Sequence, residues 1–155
     1  MVPSQDKTKE TADLIDLLFQ EMNKENRFQE KLIKYSDVAM IIIDRETGQF
    51  VFANPSAERL YNRKLSELQE LTLTAVTEIE SLAELEKGLK ALDSLSVKSY
   101  KMAKVYIIPP PDNIRKVAFM EIVEIGTEKK FPFILGILIE KTQLESWLDM
   151  VQAVA

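Results

Sequence analysis

The chain has 155 residues, of which 46% are hydrophobic and 29% are charged, and its formal net charge is −5. This length suits one domain with its own core, since domains commonly have about 100–150 residues. The sequence has no cysteine and no histidine, which excludes disulfides, thiolate nucleophiles, most zinc sites and the usual proton switch near neutral pH.

The first 35 residues combine a polar tail, residues 1–8, with a helical pattern from about residue 10 to residue 34. The charges of this segment and its lack of an apolar h-region exclude a signal peptide. No segment of the chain approaches the roughly 20 apolar residues of a membrane span. The acidic balance, without a basic cluster, argues against nucleic acid as a partner. We therefore expect a cytoplasmic protein that binds neither membrane nor nucleic acid.

Two short strand patterns follow, joined by a tight turn. Residues 40–44 contain three consecutive isoleucines, and residues 49–53 are rich in aromatic and β-branched side chains. Gly48, between them, can take the positive φ that a hairpin turn needs. Asn54 can then cap a helix whose first turn suits Pro55. We assign Asn54 a structural role as this helix cap.

In this order, the elements resemble the opening of the PAS sensory domains. The resemblance lies in the Ile-Asp end of the first strand, the Gly48 turn, the strand at residues 50–52 and the Asn-Pro-Ser-Ala helix start at residues 54–57. Residues 64–68 resemble the short helical turn that follows in this family. The resemblance implies an α+β fold, with a five-stranded antiparallel sheet, helices on one face and flanking helices at both ends.

The middle of the chain predicts helices and the later part predicts strands. Residues 65–92 have a helical pattern. Its apolar stripe consists of Ile79, Leu82, Leu85, Leu89 and Leu92. Three β segments follow, residues 97–108, 114–125 and 131–140. The first turn between them contains three prolines, which cannot continue a strand ladder, and this loop departs from the Asp-Gly turn frequent in the family.

A last helical pattern follows the third of these strands. Leu144, Trp147, Val151 and Val154 have the 3, 4, 3 spacing of a coiled-coil seam. This spacing predicts a dimerisation and signalling helix, although a helix that packs on its own domain would also fit. We therefore divide the chain into a tail with a helical segment, residues 1–35, a PAS-like domain, residues 36–141, and a C-terminal helix, residues 142–155, as a candidate signalling linker.

The resemblance also implies a small-molecule pocket. Tyr61, Tyr100, Tyr106 and Trp147 are candidate pocket residues, because aromatic rings stack on ligands, but aromatic residues of this kind also build cores. Within the resemblance, the missing cysteines and histidines exclude a cysteine-linked flavin, a histidine-ligated haem and a phosphoacceptor histidine. The sequence identifies no cofactor. It also predicts no metal site, because the acidic helix face has no convergent ligand set.

The function that these observations favour is sensing and signal transduction. We expect a domain that binds a small molecule, or forms a homodimer, or both, and that passes the signal through its terminal helices to an effector domain. The alternative is a ligand-free dimerisation or docking scaffold with the same fold. A third class, a carboxylate enzyme using Glu121 and Glu124, is disfavoured because residues three apart in a strand point to opposite faces. We expect no catalytic activity.

Overall fold

The computed structural model describes residues 36–94, 97–125 and 132–154 of the chain. Within these ranges the elements are β1 (Ala39–Asp44), β2 (Phe50–Ala53), α1 (Pro55–Tyr61), α2 (Leu65–Leu68), a 3₁₀ turn (Thr74–Val76), α3 (Ile79–Asp93), β3 (Ser99–Ile107), β4 (Lys116–Glu124), β5 (Phe133–Glu140) and α4 (Lys141–Val154). The helix predicted over residues 10–34 lies outside the described residues.

The five strands form one antiparallel sheet in the order β2-β1-β5-β4-β3. The last strand of the chain, β5, therefore lies at the centre of the sheet, between β1 and β4. The predicted α+β fold with a five-stranded antiparallel sheet is confirmed. Because β5 runs directly into α4, the central strand of the sheet is covalently continuous with the terminal helix.

The main apolar core lies between the sheet and helices α1 to α3. Phe50, Tyr61 and Met102 belong to this cluster, and each is 1% exposed. A smaller cluster around Ile42 and Phe133 lies on the other face of the sheet, because successive side chains of a strand point to opposite faces. Fully burying a side chain of this size stabilises the fold by about 1.5–3 kcal/mol, so the first cluster is the main source of stability.

The hairpin between β1 and β2 has the predicted turn. Gly48 has a φ of +76°, and its amide donates to the carbonyl of Asp44 at 2.8 Å. The Asp44 carboxylate also accepts hydrogen bonds from the amides of Glu46 and Thr47. The turn is therefore built from the glycine's conformational freedom and from one acidic side chain that satisfies two loop amides.

The buried face of α3 differs from the predicted apolar stripe. Ile79 is 80% exposed, whereas Ser81 is 3% exposed and Leu85 is 1% exposed. The inward line passes through Ser81, Leu85, Gly88 and Leu92. The prediction that Ile79 lies on the buried face was wrong. Ser81 and Gly88 belong to the inward face, and a search for large apolar side chains does not detect such small residues.

Gly136 lies inside β5, where a strand glycine usually indicates a bulge or the close approach of another group. Gly136 pairs with Ile41 of β1. A Cβ atom at Gly136 would lie 2.7 Å from Cγ1 of Ile41 and 3.3 Å from Cε of Met120. The glycine therefore makes room for side chains of the adjacent strands within the sheet.

Candidate functional site

Asn54 joins three parts of the fold. Its Oδ1 accepts hydrogen bonds from the amides of Ala57, at 3.0 Å, and Met40, at 2.9 Å. Its Nδ2 donates to the carbonyl of Val38 at 2.9 Å, and the side chain is fully buried. The first bond caps α1, and the other two hold the start of β1. Sequence reasoning could name only the cap, because Met40 and Val38 come from 14 and 16 residues earlier in the chain.

Tyr61 is a core residue. Its ring packs edge to face against Phe50, with centroids 5.5 Å apart and an interplanar angle of 78°. Because the residue is 1% exposed, burial raises the pKa of the Tyr61 phenol. Tyr61 therefore helps to fill the space between sheet and helices.

Tyr100 and Tyr106 lie on opposite faces of β3. Even spacing would place them on the same face, but the register of β3 shifts between Met102 and Val105, and such a bulge reverses the alternation of side chains. Tyr100 therefore faces α3, where its hydroxyl donates to the Glu84 carboxylate at 2.7 Å. This hydrogen bond, with smaller contributions from burial and from the charge of Glu84, raises the pKa of the Tyr100 phenol.

The ring of Tyr106 is covered by a cation. The guanidinium carbon of Arg115 lies 4.3 Å from the Tyr106 ring centroid, which is cation–π geometry. Arg115 also contacts the carboxylates of Glu78, at 3.2 Å, and Glu80, at 3.5 Å. The hydrogen bond that Arg115 donates to the Glu78 carboxylate is the main cause that raises the pKa of Arg115. The three candidate tyrosines therefore have separate protein partners, and the structure does not bring them together in one pocket.

A cleft of about 400 Å³ lies where β5 ends and α4 begins. Four elements contribute to its walls: Arg59 comes from α1, Lys116 from β4, Glu140 from β5, and Trp147 from α4. Asp37, before β1, adds a second carboxylate. The volume falls within the range of about 300–1,000 Å³ that is usual for ligand sites. We call this site the junction cleft.

The charged side chains of the junction cleft are not paired with one another. Within the described residues, no salt bridge includes Asp37, Arg59, Lys116 or Glu140. Arg59 donates only to the Ser56 hydroxyl, at 3.0 Å, and Lys116 approaches a backbone carbonyl at 3.5 Å. The cleft therefore presents two cations and two anions that are available to a ligand. Sequence reasoning missed it because these charges come from distant segments.

A second cavity, of about 590 Å³, lies at the other end of β5, beside the β1–β2 hairpin. Arg45 lines it and forms an ion pair with Glu124, and the side chains of the pair are only 12% and 10% exposed. The second carboxylate oxygen of Glu124 is buried without a hydrogen-bond partner. Glu124, which the sequence offered as a candidate catalytic carboxylate, thus neutralises a buried arginine. No cluster of three or more acidic residues that could hold a metal ion is present in the described ranges.

Helix α4 divides into a packed half and an exposed half. Leu144 and Trp147 are half-buried, and the helix contacts β4 and β5. Farther along, Leu148, Met150 and Val151 are 52%, 64% and 65% exposed. The side chain of Val154, the last residue of the predicted seam, lies outside the described set. Among the described helices, none is long and apolar enough to cross a membrane.

Comparison with known proteins identifies the fold. A family model described as the PAS domain matches residues 27–95. Residues 27–95 match the PAS family, and the described part of the chain has the PAS fold. The match to the PAS model covers β1, β2 and the helices up to α3, and the remaining strands complete the same fold in similar solved structures.

Three solved PAS structures illustrate the similarity. A PAS domain of a Colwellia psychrerythraea protein has 15% identity and a TM-score of 0.64, covering 76% of this chain and 97% of that one. A PAS domain from a two-component sensor histidine kinase has 16% identity and a TM-score of 0.58, covering 74% and 95%. A domain of a sensory box sensor histidine kinase/response regulator from Geobacter sulfurreducens has 12% identity and a TM-score of 0.57, covering 75% and 98%. At these identities the likeness shows the fold, and no curated protein matches significantly.

Proposed function

We propose that this PAS domain is a sensory and signal-transduction module that works as a homodimer, with α4 as its output element. The observation that carries the proposal is the division of α4. Its first half is packed on the domain through Leu144 and Trp147, while its second half exposes Leu148, Met150 and Val151. A helix built in this way is fixed to the sensor at one end and can contact a partner with the other.

The exposed half of α4 favours a second copy of the chain as the partner. Burying a large apolar side chain stabilises an assembly by about 1.5–3 kcal/mol, and contiguous apolar patches commonly mark interaction sites. A two-fold dimer places the same patch on both subunits, so one helix face can be self-complementary. Val151 lies on the same stripe as Leu144 and Trp147, which is the a/d pattern of paired helices.

The path from the sensor to α4 is short. Glu140 is the last residue of β5 and Lys141 is the first residue of α4, so the central strand and the helix have no loop between them. A ligand that favours one position of this junction shifts the population of helix arrangements. Passing such a shift to an effector domain is the role that we propose, in line with the sensor histidine kinase origin of two similar structures.

A ligand-free scaffold is the second candidate. It is favoured by the packed core, in which Phe50, Tyr61 and Met102 occupy the space between sheet and helices. Both candidates require pairing through α4. They differ in whether a small molecule controls that pairing.

Molar mass in solution tests the pairing, measured by light scattering after size-exclusion chromatography. We expect the unaltered chain to be a dimer and Val151→Glu to shift it to a monomer, because a carboxylate would be buried in the seam. Ala153→Glu is the matched control, since two positions along a helix is a turn of about 200° and Ala153 is exposed. A monomeric unaltered chain, or a Val151→Glu variant that stays dimeric, would contradict the proposal.

A further inference from the structure

We propose that the junction cleft binds a small zwitterion of amino-acid size, which carries one carboxylate and one ammonium group. The cleft's part in controlling the output helix rests on the function proposed above for α4, whereas the binding itself does not. The proposal stands on the charges, the volume and the position of the cleft.

The charges of the cleft match a ligand with both signs. Arg59 and Lys116 supply two cations, and Asp37 and Glu140 supply two anions, so the four side chains sum to zero formal charge. A ligand with only one charge would satisfy half of this set. A carboxylate bound by Arg59 and Lys116, with an ammonium bound by Asp37 and Glu140, would form charge-assisted hydrogen bonds at both ends.

The size and the remaining wall of the cleft limit the ligand further. A volume of about 400 Å³ is at the small end of the usual range for ligand sites. Trp147 provides the aromatic surface of the cleft, and an indole face can cover a hydrocarbon side chain or lie against an ammonium group. These features suit a free amino acid better than a larger metabolite.

The position of the cleft gives the ligand a mechanical role. Gln143 and Trp147 belong to α4, whereas the four charged residues belong to the body of the domain or to the end of β5. Among the described residues, one direct polar link crosses the cleft, from the Gln143 amide to the backbone carbonyl of Asp37 at 3.1 Å. A bound zwitterion would add contacts between the two sides and so favour one orientation of the helix.

Intrinsic fluorescence tests the binding, because Trp147 is the only tryptophan in the sequence and lines this cleft. The full chain is titrated with each standard L-amino acid other than tryptophan and tyrosine. The best of them is compared with its N-acetyl form, which lacks the ammonium group, and with its methyl ester, which lacks the carboxylate. We expect a saturable change with at least one free amino acid, and at least about tenfold weaker binding of both modified forms, since each loses a charged hydrogen-bond set.

Variants locate the site. Arg59→Gln and Lys116→Gln should each weaken binding of the free amino acid by at least about tenfold, whereas Lys104→Gln, at an exposed position on β3, should leave it unchanged. Circular dichroism shows whether each variant is folded, and the comparison with the methyl ester needs no variant. No saturable change with any amino acid, equal binding of the ester, or unaltered affinity in both cleft variants would overturn the proposal. The mass measurement on Val151→Glu is independent of these results, because it tests dimerisation and not ligand binding.

Discussion

Asn54 provides the most quantitative test of how this fold is held together. In Asn54→Ala, α1 loses its cap, which costs about 1 kcal/mol. The amide of Met40 and the carbonyl of Val38 also lose their partners, and leaving a buried backbone group unpaired costs about 1 kcal/mol or more. Because Asn54 is fully buried, water cannot easily replace these bonds. We expect the free energy of unfolding to fall by about 3 kcal/mol, three times the effect of a cap alone.

Urea unfolding followed by circular dichroism measures this loss, provided that the dependence on urea concentration stays the same. Asn54→Ser is the matched control, because a serine hydroxyl still caps α1 but has no second polar atom with which to bond both Met40 and Val38. The free energy of unfolding should fall less in this variant than in the alanine variant. If Asn54→Ala costs no more than about 1 kcal/mol, the bonds to β1 contribute nothing and the reasoning is refuted.

Two further predictions concern the tyrosines. Gly88→Ala should lower the free energy of unfolding, because the new Cβ would lie 2.6 Å from the Tyr100 ring and such overpacking costs about 1–3 kcal/mol, which outweighs the helix preference of alanine of about 1 kcal/mol. In a Tyr100→Ala background the same change should raise the free energy of unfolding. An increase in both backgrounds would contradict this packing of Gly88 against Tyr100. In an alkaline titration followed by phenolate absorbance, Tyr61 should ionise last, because burial raises its pKa. The stability that its neutral form contributes is complete below the unfolded pKa of about 10 and is lost as the pH rises above it. Tyr61→Phe should remove the most alkaline step, and an unchanged titration would show that Tyr61 is hydrated.

The sequence predicts the parts of this fold that depend on neighbouring residues. The Gly48 turn and the junction of β2 with α1 were predictable because glycine conformation and helix capping act within a few residues. The ion pair of Glu86 and Lys90 on α3, 3.2 Å apart in the structure, likewise depends only on residues four positions apart in the sequence. The order of these local elements was enough to indicate the family.

The features that the sequence did not predict depend on distant partners. The bulge in β3 turns Tyr106 away from the face of Tyr100, and no local pattern marks it. Glu124 pairs with Arg45 from 79 residues earlier, which changes it from a candidate catalytic group into a buried counter-ion. The junction cleft collects its charges from three elements, α1, β4 and β5, and from the segment before β1. Sites of this kind become visible only when the sheet order is known.

The junction cleft and the exposed half of α4 together suggest how sensing and output are joined in this domain. Trp147 lies in the cleft, and Val151, one turn farther along the same helix, is exposed. On the two proposals above, a ligand that shifts α4 at Trp147 would also shift the proposed pairing surface.

The distance between the α4 helices of two copies tests the central claim most directly. The sequence has no cysteine, so Gln152→Cys gives one attachment point for a spin label, at an exposed position beside the proposed seam. Paired helices pack with their axes about 8–10 Å apart, so double electron–electron resonance should detect strong coupling between labels of the two copies. A label at Lys104→Cys, on β3, should couple weakly or not at all. Absence of coupling at position 152, or equal coupling at position 104, would show that α4 is not the surface through which this PAS domain pairs.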